Sequence, residues 1–109
     1  LLHQALDDFF RGREDVFIGA DQFWYWEEGH ADLKTAPDVM VALGVPPGRD
    51  PAERRSYRQW EENDVVPAAV FEMASEGTWK KDLFENYVLF ERLGVREYFI
   101  FDPEAKHVR

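Results

Sequence analysis

Two short apolar runs, each broken by a single carboxylate, constrain this chain more than anything else in it. Residues 35–43 read Thr-Ala-Pro-Asp-Val-Met-Val-Ala-Leu, and residues 68–75 read Ala-Ala-Val-Phe-Glu-Met-Ala-Ser. Both have the composition of strands inside a sheet. Asp38 follows a proline at the entrance of the first, and Glu72 interrupts the middle of the second. An unpaired carboxylate is costly in such a place. Two of them at matching ends of neighbouring strands would share a divalent cation, which offsets that cost. Read singly, each has a plainer use. Asp38 suits a turn after Pro37, and Glu72 suits the solvent face of an edge strand or an arginine partner.

The rest of the chain supplies a frame for those strands. Leu2, Leu6, Phe9 and Phe10 fall at helical spacing, which predicts a helix over residues 1–11 with one buried face, ended by Gly12. Residues 16–18 and 23–26 are rich in β-branched and aromatic side chains and predict a hairpin around residues 19–22. Residues 49–58 read as loop, with one helical turn at residues 56–62. The strongest helix signal covers residues 78–93, where Leu83, Phe84, Tyr87, Val88 and Phe90 form a wide apolar stripe and Gly94 follows as the terminating glycine. Residues 95–101 predict another strand, closed by the Asp102-Pro103 turn. Strand 68–74, helix 78–93 and strand 95–101 form a βαβ crossover, hence a parallel pair, while the upstream strands are expected to be antiparallel. No internal repeat is visible.

A chain of 109 residues, 45% apolar and 16% aromatic, is enough for one modest domain with a packed core. It has no cysteine, which excludes disulfides and thiolate metal sites and fits a reducing cytoplasm, the expected compartment. No apolar run approaches the ~18 residues of a membrane span, so no membrane partner is expected. The chain opens at Leu1 inside an apparent helix and stops at residues 107–109 where a strand begins, so a piece of a longer chain, truncated at both ends, is expected.

The net charge of −9 argues against indiscriminate coating of nucleic acid. It is unevenly spread. Residues 49–58 carry +2, from Arg49, Arg54, Arg55 and Arg58 against two acids, and the remainder carries −11. Those arginines read either as a solvated loop or as an arm that contacts phosphate. Lys80 and Lys81, in the first turn of the long helix, oppose its dipole and read either as surface or as phosphate contacts beside the Glu72 strand. Trp24, Trp26, Trp60 and Trp79 suit core or interface packing better than base stacking. There is no phosphate-binding loop, no Ser-His-Asp logic and no zinc pattern.

Taken in order, Pro37-Asp38, Val41-x-x-Gly44-Val45, Arg55-x-Tyr57-x-x-Trp60-x-Glu62, Pro67, Glu72-x-x-Ser75-x-x-Thr78-x-x-x-Asp82 and Gly94-Val95-x-Glu97-Tyr98-Phe99-x-Phe101-Asp102-Pro103 make a series. It resembles the Uma2 family, also called DUF820, of restriction-endonuclease-type proteins in the PD-(D/E)XK nuclease-like superfamily. The resemblance runs from about His3 to Pro103. It implies an α/β fold with a restriction-endonuclease-like core, a mixed β-sheet flanked by helices, as a single domain over residues 1–109. It also implies a Mg²⁺- or Mn²⁺-dependent endonuclease that hydrolyses DNA, with a homodimer among the expected assemblies. On this resemblance Asp38 and Glu72 are the metal-binding acids, Asp82 is the family aspartate of the helix, and His3 is the histidine of the first helix. The sequence departs from the pattern at the lysine. The superfamily position two residues after the second acid is Ala74, and the family position four residues after Asp82 is Asn86. Asn86 can hydrogen-bond a water but brings no charge, so the expected nuclease is weak, or Lys80 or Lys81 replaces the missing cation. The alternative expectation is a catalytically degenerate module that binds nucleic acid or a protein.

Overall fold

In the computed structural model, which describes residues 2–48, 54–74, 80–102 and 107–108, the two acid-bearing runs lie side by side. Val39–Leu43 forms β4 and Ala69–Met73 forms β6, paired antiparallel with Val39 opposite Phe71 and Met40 opposite Val70. Val16–Ala20 (β1) pairs antiparallel with the other edge of β4. Glu97–Asp102 (β7) runs parallel to β6, and His107–Val108 (β8) pairs with β7, giving the order β1-β4-β6-β7-β8. Lys80–Leu93 (α2) links β6 to β7, so the expected βαβ crossover is present. The fold is the expected mixed sheet with helices. Glu72 is not on an edge strand, because β6 is hydrogen-bonded on both sides.

The ends of α2 follow from its sequence. Asp82 in the first turn and Arg92 in the last complement the helix dipole. Gly94 takes φ +95°, and its N–H and that of Val95 both donate to the Phe90 carbonyl, at 3.1 and 3.0 Å. This left-handed stop is the one the glycine predicts.

The predicted hairpin at residues 16–26 does not form. Trp24–Tyr25 (β2) joins a separate sheet with Lys34–Thr35 (β3), antiparallel, and Tyr57–Arg58 (β5), parallel. Gly19 is pressed so closely against the Phe17 ring, Gln22 and Met40 that a Cβ there would come within 2.9–3.1 Å of them. Asp21 then adopts φ +53° and its N–H donates to the Asp38 carbonyl at 3.0 Å, which turns the chain toward the second sheet.

The core lies between the two sheets and α2. Trp24 and Tyr57 are wholly buried. Trp24 stacks parallel to Phe90 of α2 at 6.2 Å, and its indole N–H donates to Gln59 Oε1 at 3.0 Å. Tyr57 stacks on Phe17 of β1, and its hydroxyl donates to the Val65 carbonyl at 2.7 Å. Burying an aromatic side chain of this kind contributes about 2–3 kcal/mol, and each polar tip has a partner, which removes the cost of burial.

Two helical faces are less buried than their periodicity implies. Leu2–Phe9 forms α1, none of its residues is fully buried, and Phe9 is 79% exposed. On α2 the sheet takes Phe90 and part of Leu93, while Phe84, Tyr87 and Val88 remain exposed. The apolar stripe of α2 is wider than the strip of sheet beneath it.

Candidate metal and active site

The register of β4 and β6 brings Asp38 and Glu72 together at one end of the main sheet. With Val39 opposite Phe71, one further step back along β4 and forward along β6 sets the two acids across from each other. The Asp38 N–H donates to Glu72 Oε2 at 3.3 Å, and the Met73 N–H donates to Asp38 Oδ2 at 2.6 Å. Both side chains are half-buried. Burial, and then the charge of Asp38, push the Glu72 carboxyl up to about 7. Burial is the larger cause, and the neighbouring acid adds to it, so Glu72 gives up its proton less readily than an ordinary carboxyl.

Asn86 reaches the same place from α2. It is half-buried, and its Nδ2 donates to Glu72 Oε1 at 3.5 Å, a long contact. Asp82 lies one turn earlier and is exposed.

Tyr98 is the neighbour that sequence reasoning missed. The parallel register pairs Val70 with Tyr98 and Glu72 with Ile100, so Tyr98 and Glu72 share one face of the sheet. Its hydroxyl is buried beside Asn86 without a well-formed hydrogen bond among the described residues. Burial, and then the charge of Glu72, push its ionisation upward, so it stays a neutral phenol. The usable signal was the crossover itself, which fixes β7 against β6.

On the opposite side, Asp38 borders an open cavity of about 520 Å³ lined by Leu2, His3, Val39, Phe71 and Met73, with Asp21 also at its wall. His3 is engaged at both ring nitrogens. Nδ1 is 3.1 Å from Asp7 and Nε2 is 3.2 Å from the Ile18 carbonyl. It ties α1 to β1 at the edge of the cavity.

Among the described residues, no three His, Cys, Asp or Glu side chains gather around one point. A pair of adjacent carboxylates still fits a hard cation of the Mg²⁺ type. Such an ion takes one or two carboxylates and completes its shell with water and substrate phosphate oxygens.

The arginine cluster does not act as a unit. Arg54 is 7% exposed; its Nε donates to Glu62 Oε2 at 3.0 Å, its Nη2 donates to the Pro46 carbonyl at 2.8 Å, and the guanidinium lies over the Phe17 ring. A group with those partners is committed to the interior, so the phosphate-contacting role expected of Arg54 is corrected. Arg55 and Arg58 are exposed, with Arg58 Nη1 3.6 Å from Glu61 Oε2. Arg49 lies outside the described residues, as do the side chains of Lys80 and Lys81.

No helix among the described residues is long and apolar enough to cross a membrane. No curated protein matches the chain. The fold matches a crystal structure from Anabaena variabilis ATCC 29413, described as "a putative nuclease belonging to DUF820", with a TM-score of 0.72 at 12% identity. That match covers 98% of this chain and 55% of the other, so the chain spans about half the length of its structural neighbour. The family model "Uma2: Putative restriction endonuclease" matches residues 1–109. With a family model that spans its whole length, the chain belongs to the Uma2 family.

Proposed function

We propose that the protein hydrolyses DNA phosphodiester bonds slowly, with a divalent cation, Mg²⁺ or Mn²⁺, held by Asp38 and Glu72. The observation that carries this reading is the meeting of the two acids across β4 and β6, with Asp38 N–H on one Glu72 oxygen and Met73 N–H on an Asp38 oxygen. When bound, the cation supplies positive charge that polarises a phosphate oxygen and acidifies a water. The chain's own residues orient the two carboxylates and hold Glu72 near the point where it gives up its proton. Asn86 holds one Glu72 oxygen and can position a water, but it adds no charge. Removing one electrostatic group of this kind costs about 10²–10³ in rate.

A second reading, a catalytically degenerate module that binds nucleic acid or a protein, is favoured by the same Asn86 contact. An amide on Glu72 satisfies the carboxylate where a lysine would activate the substrate.

Cleavage of supercoiled plasmid by the full-length protein, with Mg²⁺ or Mn²⁺ against EDTA, separates the two. The expected result is slow, metal-dependent nicking by the wild type, none by Asp38→Ala, and a gain of roughly tenfold or more in Asn86→Lys. Absence of cleavage from both wild type and Asn86→Lys, in protein that binds metal, would establish the degenerate module. Fast wild-type cleavage lost in Lys80→Ala or Lys81→Ala would transfer the lysine's role to the start of α2.

A further inference from the structure

The small sheet has an outward face that the acid pair does not use. Its two registers, Tyr25 with Lys34 and Tyr25 with Arg58, set Lys34, Tyr25 and Arg58 in one row across three strands. Alternation turns Trp24, Thr35 and Tyr57 to the other face, where Trp24 and Tyr57 enter the core. The outward row is therefore cation, aromatic, cation. Lys34 Nζ lies 4.7 Å from the Phe23 ring centre and 5.8 Å from that of Tyr25, and Phe23 is 46% exposed.

At the Arg58 end of the row an open cavity of about 440 Å³ is lined by Tyr25, Glu27, His30, Ser56, Arg58 and Trp60. That volume falls within the roughly 300–1,000 Å³ of small-ligand sites. Its chemistry is specific: two aromatic rings, a guanidinium, an imidazole, and a carboxylate and hydroxyl able to pair with donors and acceptors. Among the described residues Arg58 meets Glu61 in an exposed contact at 3.6 Å, and such pairs are weak enough to yield to a stronger anion.

We propose that this face binds an unpaired nucleotide, with the base stacked on Tyr25 and Trp60 and the flanking phosphates met by Arg58 and Lys34. Stacking on aromatic platforms between cations is the sequence-tolerant mode by which proteins hold single strands. A duplex keeps its bases stacked inside and cannot offer one to the cavity. The proposal extends the nucleic-acid reading above but requires no cleavage. It also gives nucleic acid a local cationic patch on a molecule whose net charge of −9 opposes indiscriminate coating.

The test is fluorescence anisotropy of a labelled mixed-sequence single-stranded dodecamer with the full-length protein, in EDTA and low salt. Competition by AMP and by the corresponding duplex runs alongside. Trp60→Ala should weaken binding roughly fivefold to a hundredfold, as loss of one stacked base does. Lys34→Ala with Arg58→Ala should flatten the slope of log affinity against log salt by about 1.4, the value for two phosphate contacts on a single strand. Both lysine and arginine are exposed, so this double variant should fold even where Trp60→Ala does not. Competition by AMP as strong, per nucleotide, as by the dodecamer identifies a free nucleotide as the source of the ligand; a large gain for the dodecamer identifies a strand. Unchanged binding in these variants, or tighter binding of the duplex, overturns the proposal. So does an equal loss from Arg11→Ala with Arg13→Ala, two exposed arginines between α1 and β1 of the main sheet. Normal binding without metal-dependent cleavage would defeat the nuclease reading alone, and cleavage with binding indifferent to Lys34, Arg58 and Trp60 would defeat this one alone.

Discussion

Glu72 carries a charge only at a cost, and that cost has a direction in pH. Burial and the Asp38 charge raise its carboxyl from 4.5 to about 7. Between those two values the folded protein keeps a proton that the unfolded chain has released. The stabilisation from protonated Glu72 is therefore fully present below pH 4.5 and is lost as pH rises through about 7. In metal-free protein, Glu72→Gln carries a neutral group at every pH. The wild type should lose roughly 2 kcal/mol relative to this variant between pH 5 and pH 8, a figure reduced for the partial solvation of the site. At pH 8 the variant should be the more stable of the two. Denaturant melts of both proteins across that range check it, and a difference that does not move with pH would mean that Glu72 is solvated and unperturbed. Cation binding should show the reverse preference, strengthening as pH rises toward about 7 and levelling off above it, because the ligand must be deprotonated.

At the scale of elements, residues 54–65 hold the small sheet in place through one buried ion pair. Arg54 and Glu62 are 7% and 2% exposed, and Arg54 also reaches the Pro46 carbonyl. Arg54→Ala would leave the Glu62 charge buried without its guanidinium, a loss of about 3–5 kcal/mol. Arg55→Ala, at an exposed position, should stay within about 0.5 kcal/mol of wild type. Urea melts distinguish the neighbours, and equal stability of the two variants would return Arg54 to the surface. Two adjacent arginines with opposite fates mark the limit of sequence reading here. The meeting of Asp38 and Glu72 was legible because a carboxylate at the entrance of one short apolar strand, and another inside the next, stand out. The β6-α2-β7 crossover was legible because a 14-residue helix between two strands has a single common topology. The small sheet was not, because strands of two residues carry no period. Arg54 was not, because its burial depends on Glu62, eight residues away, meeting it in space. Helix α1 has the right spacing for a buried face, yet spacing does not say how much surface stands opposite.

The whole molecule adds a complication to any metal experiment. With a net charge of −9, a divalent cation stabilises the protein in two ways: by diffuse screening of self-repulsion and by occupying a defined site. The two differ in their dependence on concentration and on particular residues. A site-bound ion adds about 2.7 kcal/mol at a hundredfold excess over its dissociation constant. For a domain of this size that corresponds to roughly 10 °C in melting temperature. Diffuse screening is reproduced by NaCl at matched ionic strength and is indifferent to the loss of one carboxylate pair among 22 acidic residues. Mg²⁺ and Mn²⁺ should therefore raise the melting temperature above the matched-salt control, and Asp38→Asn with Glu72→Gln should remove that excess. The double variant keeps the shape of both side chains and their capacity to accept the Met73 and Asp38 N–H groups. Its own fold should persist, and with the like charges gone it should start from a higher melting temperature without metal. An identical rise in wild type and double variant would assign the whole effect to the ion atmosphere and leave the acid pair without a cation. A rise confined to the wild type would assign it to the end of the sheet where β4 and β6 bring Asp38 and Glu72 together.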